Sequence, residues 1–234
     1  MDIRKFFASP PSGVSDTEAQ VPLLLVYLLN VFSKAVITQF ASEAGVSLRN
    51  ADPIGVLAIS IFAATEFQWR GLSLIDILLA KFHKVCPVLW GIYGSEKTER
   101  GRQRLGWARI DDNWVSSQTH NERMTGFGAG FAALSLRDFS KSKMQNPYPP
   151  RNFWRALAKI INTPPQAAQP THFLVLKSMV ECGAERFIGF YGQAALVALR
   201  KALVDFPSQA PKSVAAAAVS VLPEILERDL KVHI

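Results

Sequence analysis

The sequence predicts an all-α fold, an irregular helical-repeat array of antiparallel helices. Apolar residues recur at helical spacing, Pro and Gly punctuate the junctions between such runs, and no segment shows the period-two alternation with paired turns of a sheet. Hydrophobic residues make up 49% of the 234 and charged residues 19%, enough to bury a core and too apolar for a disordered chain.

The first helix begins near Val21 and carries the stripe Leu25, Leu28, Leu29, Phe32, Val36 and Phe40, ending near Gly45. Further helices are predicted at about 53–67, 72–85, 122–136, 152–162, 170–182, 185–204 and 212–231, with breaks at Pro164-Pro165, Pro207 and Pro211. No repeat is visible in the sequence itself, so the array is expected to be irregular, HEAT-like in outline. Residues 1–20, rich in Pro, Ser, Gly and Asp, read as a mobile N-terminal arm, and residues 21–234 as one helical-repeat domain. The apolar stretches from Val21 to Phe32 and from Ile54 to Ala64 fall short of the roughly 18–20 residues of a membrane span and read as core helices, so no membrane insertion is expected. No secretory signal is evident, which predicts a nuclear and cytoplasmic protein.

Two loops interrupt the array. Residues 91–120 combine Gly91, Gly94, Gly101 and Gly106 with Lys97, Arg100, Arg102, Arg104 and Arg109, a long basic excursion with one short helix. Residues 140–150 contain Lys141, Lys143 and a Pro-rich turn.

A formal charge of +7 favours anionic partners without choosing among them. Cys86 and Cys182 have no CxxC or Cys/His spacing and read as buried thiols. The histidines at 83, 120, 172 and 233 are scattered, and Asp111-Asp112 stands without further carboxylates. Gly126-Phe127-Gly128-Ala129-Gly130 lacks the preceding strand a nucleotide-binding glycine loop requires, and reads as a close helix–helix contact. Phe153-Trp154-Arg155, Trp107 and Trp114 allow base stacking, with core packing as the plainer alternative. Ser213 to Leu222 reads as a small-residue helix suited to close packing. No catalytic motif is present, so the chain is not expected to be an enzyme.

The most informative run is Leu78 to Pro87. Lys81 and Lys84 stand three apart on one face, and Pro87 disfavours helical geometry at Cys86, which puts both ammonium groups in the last turn. They form a candidate anion site. The plainer alternative is that they offset the helix dipole, at about 0.3–1 kcal/mol each.

The segments Ala51-Asp52-Pro53-Ile54-Gly55-Val56, Leu78 to Pro87, Arg104-Leu105-Gly106-Trp107, Arg123-Met124-Thr125-Gly126, Phe153 to Ala158 and Asn162-Thr163-Pro164-Pro165 together resemble the C-terminal domain of the GLE-one family of mRNA export factors, of fungal type, over roughly residues 21–206. The resemblance implies a helical-repeat array similar to the scaffold domain of translation factor eIF4G. It also implies a non-enzymatic role at the cytoplasmic face of the nuclear pore complex. There the domain binds inositol hexakisphosphate as a bridging ligand and stimulates a DEAD-box RNA helicase of mRNA export. Further implied partners are an FG-nucleoporin peptide and translation initiation and termination factors. The implied phosphate ligands are Lys34, Lys81 and Lys84, with Arg123 and Lys141 or Lys143 as completions. Some relatives carry a second lysine where this chain has Val85, which implies a site less charged or rebuilt from another segment. The nucleoporin peptide is expected on an apolar patch between Phe187 and Leu203 and the Ala-rich last helix. The alternatives are a basic scaffold that binds RNA directly and a nucleoporin adaptor without effect on any ATPase. Separately, Ile3 to Phe7 resembles the clamp-binding peptide of the large replication factor C subunit, without the usual preceding Gln.

Overall fold

The computed structural model describes residues 21–234. The predicted arm and its Ile3 to Phe7 motif lie outside the described residues. Helix occupies 71% of the described residues and strand 4%, so the all-α expectation holds and the helices run antiparallel.

Helix α1 (Leu23–Gln39) continues through a π turn at Phe40–Ala44. Leu25, Leu29, Val36 and Ile37 face the core, as the stripe predicts, but Leu28 is exposed together with Leu23, Leu24, Tyr27 and Val31. The stretch Leu23–Ala44 is long and apolar enough, by length and composition alone, to cross a membrane. Its buried face packs on α3 (Asp76–Val85) and beside α5 (Ser117–Ser135). Between α1 and α3 lies α2 (Ala51–Ala63), which starts two residues before the expected Pro53 and ends four before Phe67.

The residues after α2 correct the sequence reading. Gln68–Trp69 (β1) and Leu72–Ser73 (β2) pair antiparallel, so the expected helix start at Leu72 moves to Asp76. A second hairpin pairs β3 (Arg109–Ile110) with β4 (Asn113–Trp114). Each connects through two residues at positive φ, Arg70 and Gly71 in the first and Asp111 and Asp112 in the second. Two-residue strands carry too few positions for a period-two pattern to register, and this turn signal was the legible one. Asp111 and Asp112, read as a solvated turn, do form the turn, at φ 47° and 63°. Asp112→Gly is expected to raise the unfolding free energy by up to about 1 kcal/mol, because glycine adopts this conformation without Cβ strain. A denaturation midpoint no higher than the parent's refutes it.

Helix α4 (Glu99–Arg104) is the short helix expected in the 91–120 excursion. Helix α5 starts at Ser117, earlier than the expected Glu122, because the Ser116 side chain accepts the Thr119 N–H at 3.1 Å and caps it. Its glycine run makes the close contacts anticipated: Cβ atoms on Gly126 and Gly130 would collide with Phe40, and one on Gly128 with Val175 and Ser178. Helix α6 (Arg151–Ile161) follows, then α7 (Pro170–Tyr191), one continuous helix where two were expected. The break falls at Gly192 (φ 53°), and α8 (Gln193–Arg200) runs on through a π turn into α9 (Phe206–Gln209). The last expected helix is divided into α10 (Val214–Ser220) and α11 (Leu222–Leu230), with Pro223 in the first turn of the second.

One hydrophobic core runs from Leu25 to Leu226, with α5 against α7, α2 and the π turn. Phe82 of α3 lies at its centre, its ring 5.8 Å from Phe40, 6.1 Å from Phe127 and 6.0 Å from Phe131. Cys86 is buried and burial raises its thiol pKa, whereas Cys182 is only partly buried, a correction to the expected pair of buried thiols. Phe153 is a core residue and Trp154 packs on Phe187 and Tyr191, so the packing alternative holds for both.

Asp52 ties α2 to α7 and to the segment that follows α5. It accepts from Arg137 Nη2 at 2.5 Å and Arg186 Nη2 at 2.6 Å. Burial opposes its ionisation, but the Arg137 and Arg186 hydrogen bonds and charges overcome that and hold its carboxyl below the ordinary value. A carboxylate with a depressed folded pKa contributes stability above its unfolded pKa and loses it as pH falls through the folded one. Asp52→Asn is therefore expected to lower stability at pH 7 and to flatten the acid limb below pH 4, read from denaturation at several pH values. Parallel acid limbs in parent and variant refute it.

Candidate anion-binding cleft

Helix α3 has Asp76 in its first turn and His83 and Lys84 in its last, so its charges complement both dipole ends. Pro87 opens a 3-10 turn (Pro87–Trp90), and Cys86 before it sits at φ −139°, outside helical geometry as expected. Lys81 and Lys84 leave the same face and then differ. Lys81 is half-buried and its Nζ donates to Asn30 Oδ1 of α1 at 2.5 Å, while Lys84 is exposed. Lys34 is exposed one turn beyond Asn30, on the same side of α1.

Lys84 opens onto a cleft of about 400 Å³. His83 and Lys84 line it from α3, Arg100, Gln103 and Arg104 from α4, and Pro87 and Ile92 from the connecting segment. Arg100, Gln103 and Arg104 share one helix face by their spacing. Thr98 starts α4 by accepting the Gly101 N–H at 3.1 Å. At the other end Gly106 (φ 80°) turns the chain against α3, where a Cβ would collide with the Val85 carbonyl oxygen and crowd Pro87. That close approach sets the end of α4 beside the end of α3.

Glu96 holds the same excursion to α7. Its Oε1 accepts from the Thr171 N–H at 3.2 Å and the Thr171 hydroxyl at 2.7 Å, in the first turn of α7, where a carboxylate meets the positive helix end. The Glu96 carbonyl also accepts from Arg102 Nε at 2.8 Å. Because the Thr171 hydroxyl has one hydrogen, committed to Glu96, its oxygen accepts from His120 Nε2–H at 2.8 Å. His120 is thus the Nε2–H tautomer, with Nδ1 a bare, buried acceptor that lacks a partner. Its ring stacks on Trp107 with centroids 4.0 Å apart. Burial, then the Arg123 and Arg102 charges, lower its pKa to about 3.

The aromatics considered for base stacking are covered by the chain's own arginines: Arg102 lies over Trp107 at 4.9 Å and Arg109 over Trp114 at 4.3 Å. Arg123 is half-buried over Phe127 at 5.5 Å, beside His120, and does not line the cleft. Lys141 and Lys143 are exposed in the turn after α5 and do not line it either. Of the six expected ligands, only Lys84 lines the cleft; Lys81 is tied through Asn30 to α1, one turn from Lys34, and Arg123, Lys141 and Lys143 stand apart from the lining. Sequence reasoning noted Arg100 and Arg104 only as part of a basic loop; their four-residue spacing behind a Thr cap was the available signal. Among the described residues no group of His, Cys, Asp or Glu is arranged to hold a metal ion.

A second hollow, of about 670 Å³, is lined by Leu136, Arg137, Asp138, Ser140, Arg186 and Phe190. Its two guanidinium groups are committed to Asp52. Phe187, where an exposed apolar patch was expected to begin, is fully buried; Phe190 and Val197 are the exposed apolar residues of that stretch.

The family model described as GLE1-like protein matches residues 2–203. The chain belongs to the GLE1-like family. It is 54% identical over 221 residues to the mRNA export factor GLE1 of Chaetomium thermophilum, covering 94% of this chain and 42% of that protein. It is 31% identical over 186 residues to the mRNA export factor GLE1 of Saccharomyces cerevisiae, covering 78% of this chain and 33% of that protein. The chain thus spans less than half the length of these GLE1 relatives. Among solved structures it is similar to a chain in the complex described as the S. cerevisiae Dbp5 C-terminal domain, a variant, bound to Gle1 and IP6. The TM-score is 0.76 at 30% identity, over 87% of this chain and 69% of that one. A second such complex, with a Gle1 variant, matches at the same TM-score.

Proposed function

We propose that this chain is a non-enzymatic mRNA export factor that binds inositol hexakisphosphate and stimulates a DEAD-box RNA-dependent ATPase at the cytoplasmic face of the nuclear pore complex. What supports it is the helix end bearing Lys81 and Lys84, with Lys81 bonded to Asn30 one turn before Lys34, in a fold similar to a chain from a Dbp5, Gle1 and IP6 complex. A compact polyanion needs several convergent cations, and a rigid helix end offers them without ordering a loop. Each exposed ion pair is weak alone. A partly desolvated pocket, with an effective dielectric near 20, brings a pair at about 4 Å to roughly 4 kcal/mol before desolvation is subtracted. Under this reading the polyphosphate bridges the lysines and basic residues of the ATPase, and a nucleoporin peptide and translation factors are further partners. Under this reading Arg123, Lys141 and Lys143 contribute from outside the cleft lining.

The Lys81→Glu/Lys84→Glu variant is expected to abolish polyphosphate-dependent stimulation of the ATPase while leaving the helical circular dichroism signal intact. Undiminished stimulation in that variant refutes the site. RNA affinity of the chain alone that falls steeply with salt, with no effect on the ATPase, would instead favour the direct RNA-binding scaffold.

A further inference from the structure

The cations of the cleft stand without a counter-charge. Lys84 and Arg100 make no hydrogen bond or ion pair among the described residues, and Arg104 touches only the Tyr93 ring, 5.8 Å from its centroid. No carboxylate lines the cleft. Two stand close in sequence, and both are turned elsewhere. Glu96, four residues before Arg100, caps α7 through Thr171. Glu99 pairs with Arg109 at 2.6 Å. Arg102, on the opposite side of α4, is bonded to the Glu96 carbonyl. Three like charges thus converge on about 400 Å³ with their nearest counter-charges diverted, and the Gly106 contact with Val85 fixes the two walls in register. Like charges held together raise the free energy of the empty cleft, and a bound anion relieves it.

We propose that Arg100 and Arg104 are phosphate ligands that, across the cleft from Lys84, form the second half of the polyphosphate site, and that they set its preference for a highly phosphorylated ring over a lower phosphate. This rests on the reading of Lys34, Lys81 and Lys84 as the first half. The arginine fork takes two oxygens of one phosphate where an ammonium takes a point charge, so the α4 wall reads phosphate geometry and the α3 wall supplies charge. A ring with phosphates on all sides engages both walls; one with three engages a single wall. A nucleic acid backbone fits less well, because the charges converge on one cleft instead of tracking along a strip, and Arg104 already covers the Tyr93 ring.

The test is isothermal titration of the full chain, at near-physiological salt, with inositol hexakisphosphate, an inositol trisphosphate and a single-stranded RNA. The expected loss for Arg100→Gln/Arg104→Gln is about tenfold per arginine, about a hundredfold together, for the hexakisphosphate. For the trisphosphate the expected loss is less than about threefold, so the selectivity ratio collapses. Arg100→Lys/Arg104→Lys, which keeps the charge, should recover only part of the loss. Lys201→Gln/Lys212→Gln, which removes two charges far along the chain, should stay within about threefold of the parent. Equal losses in the Gln pair and this control, or an unchanged selectivity ratio with a normal circular dichroism signal, overturn the proposal and leave the Lys81 and Lys84 reading standing. Loss of RNA affinity with hexakisphosphate affinity unchanged overturns it in favour of an RNA contact. A parent chain that fails to bind hexakisphosphate overturns both.

Discussion

Phe82→Ala is expected to lower the unfolding free energy by about 3–5 kcal/mol, the usual cost of emptying a fully enclosed aromatic site. The side chain is wholly buried, and its ring meets Phe40 from the π turn and Phe127 and Phe131 from α5, all within about 6 Å. Three helices meet at it, so no single one can shift to close the void. The consequence reaches function because Lys81 and His83 flank Phe82 on a helix of ten residues, too short to persist without tertiary packing. Equilibrium denaturation followed by circular dichroism should show a lower midpoint with an unchanged slope, and polyphosphate binding should weaken only where the folded fraction falls. A loss below about 1 kcal/mol would mean that the ring contacts are not what holds α3.

Lowering the pH from 7.5 to 5 is expected to remove about 4 kcal/mol of stability, about 2 kcal/mol from each of two histidines. Burial, then the Arg123 and Arg102 charges, bring the pKa of His120 down to about 3; burial brings that of His172 to about 4. Each ring is neutral in the folded protein for a structural reason. His120 gives its Nε2–H to Thr171 and is flanked by cations, and His172 Nδ1 accepts the Gln169 N–H at 3.1 Å in the capping box of α7. In the unfolded chain both titrate near 6.5, so below that pH the unfolded state binds more protons and stability falls as the pH falls. The window runs from about 6.5 down to about 4 for His172 and about 3 for His120, and only the lower end of the His120 window overlaps the range in which Asp52 adds its own loss. Urea denaturation across pH 5 to 7.5 measures it, and His172→Gln should halve the slope. A midpoint that stays level across that range would show that neither ring is held neutral.

The two histidines also mark where sequence reasoning stopped. Lone histidines far apart in a sequence carry no local sign of their partners. His120 depends on Thr171, and Thr171 on Glu96, three segments brought together only by folding. Helix α3 was legible for the opposite reason. Its apolar spacing and the stop at Pro87 are relations among residues within four positions, and those survive into the fold, although its start moves from Leu72 to Asp76. The glycine run in α5 was likewise legible as a close contact, although only the fold names Phe40 and Val175 as the groups approached. The two hairpins were missed because strands of two residues leave no periodic trace.

The sequence by itself determined the all-α class, where α3 ends, and that Lys81 and Lys84 share a face, since these follow from relations among residues a turn or so apart. Only the tertiary structure decided that Lys81 is engaged by Asn30 of α1, and that Arg100 and Arg104 stand across from Lys84 with their neighbouring carboxylates turned away. That convergence depends on one glycine packed against the carbonyl of Val85 and one carboxylate docked on a distant helix end. Such contacts join residues up to 75 positions apart, and no pattern confined to neighbouring residues records them.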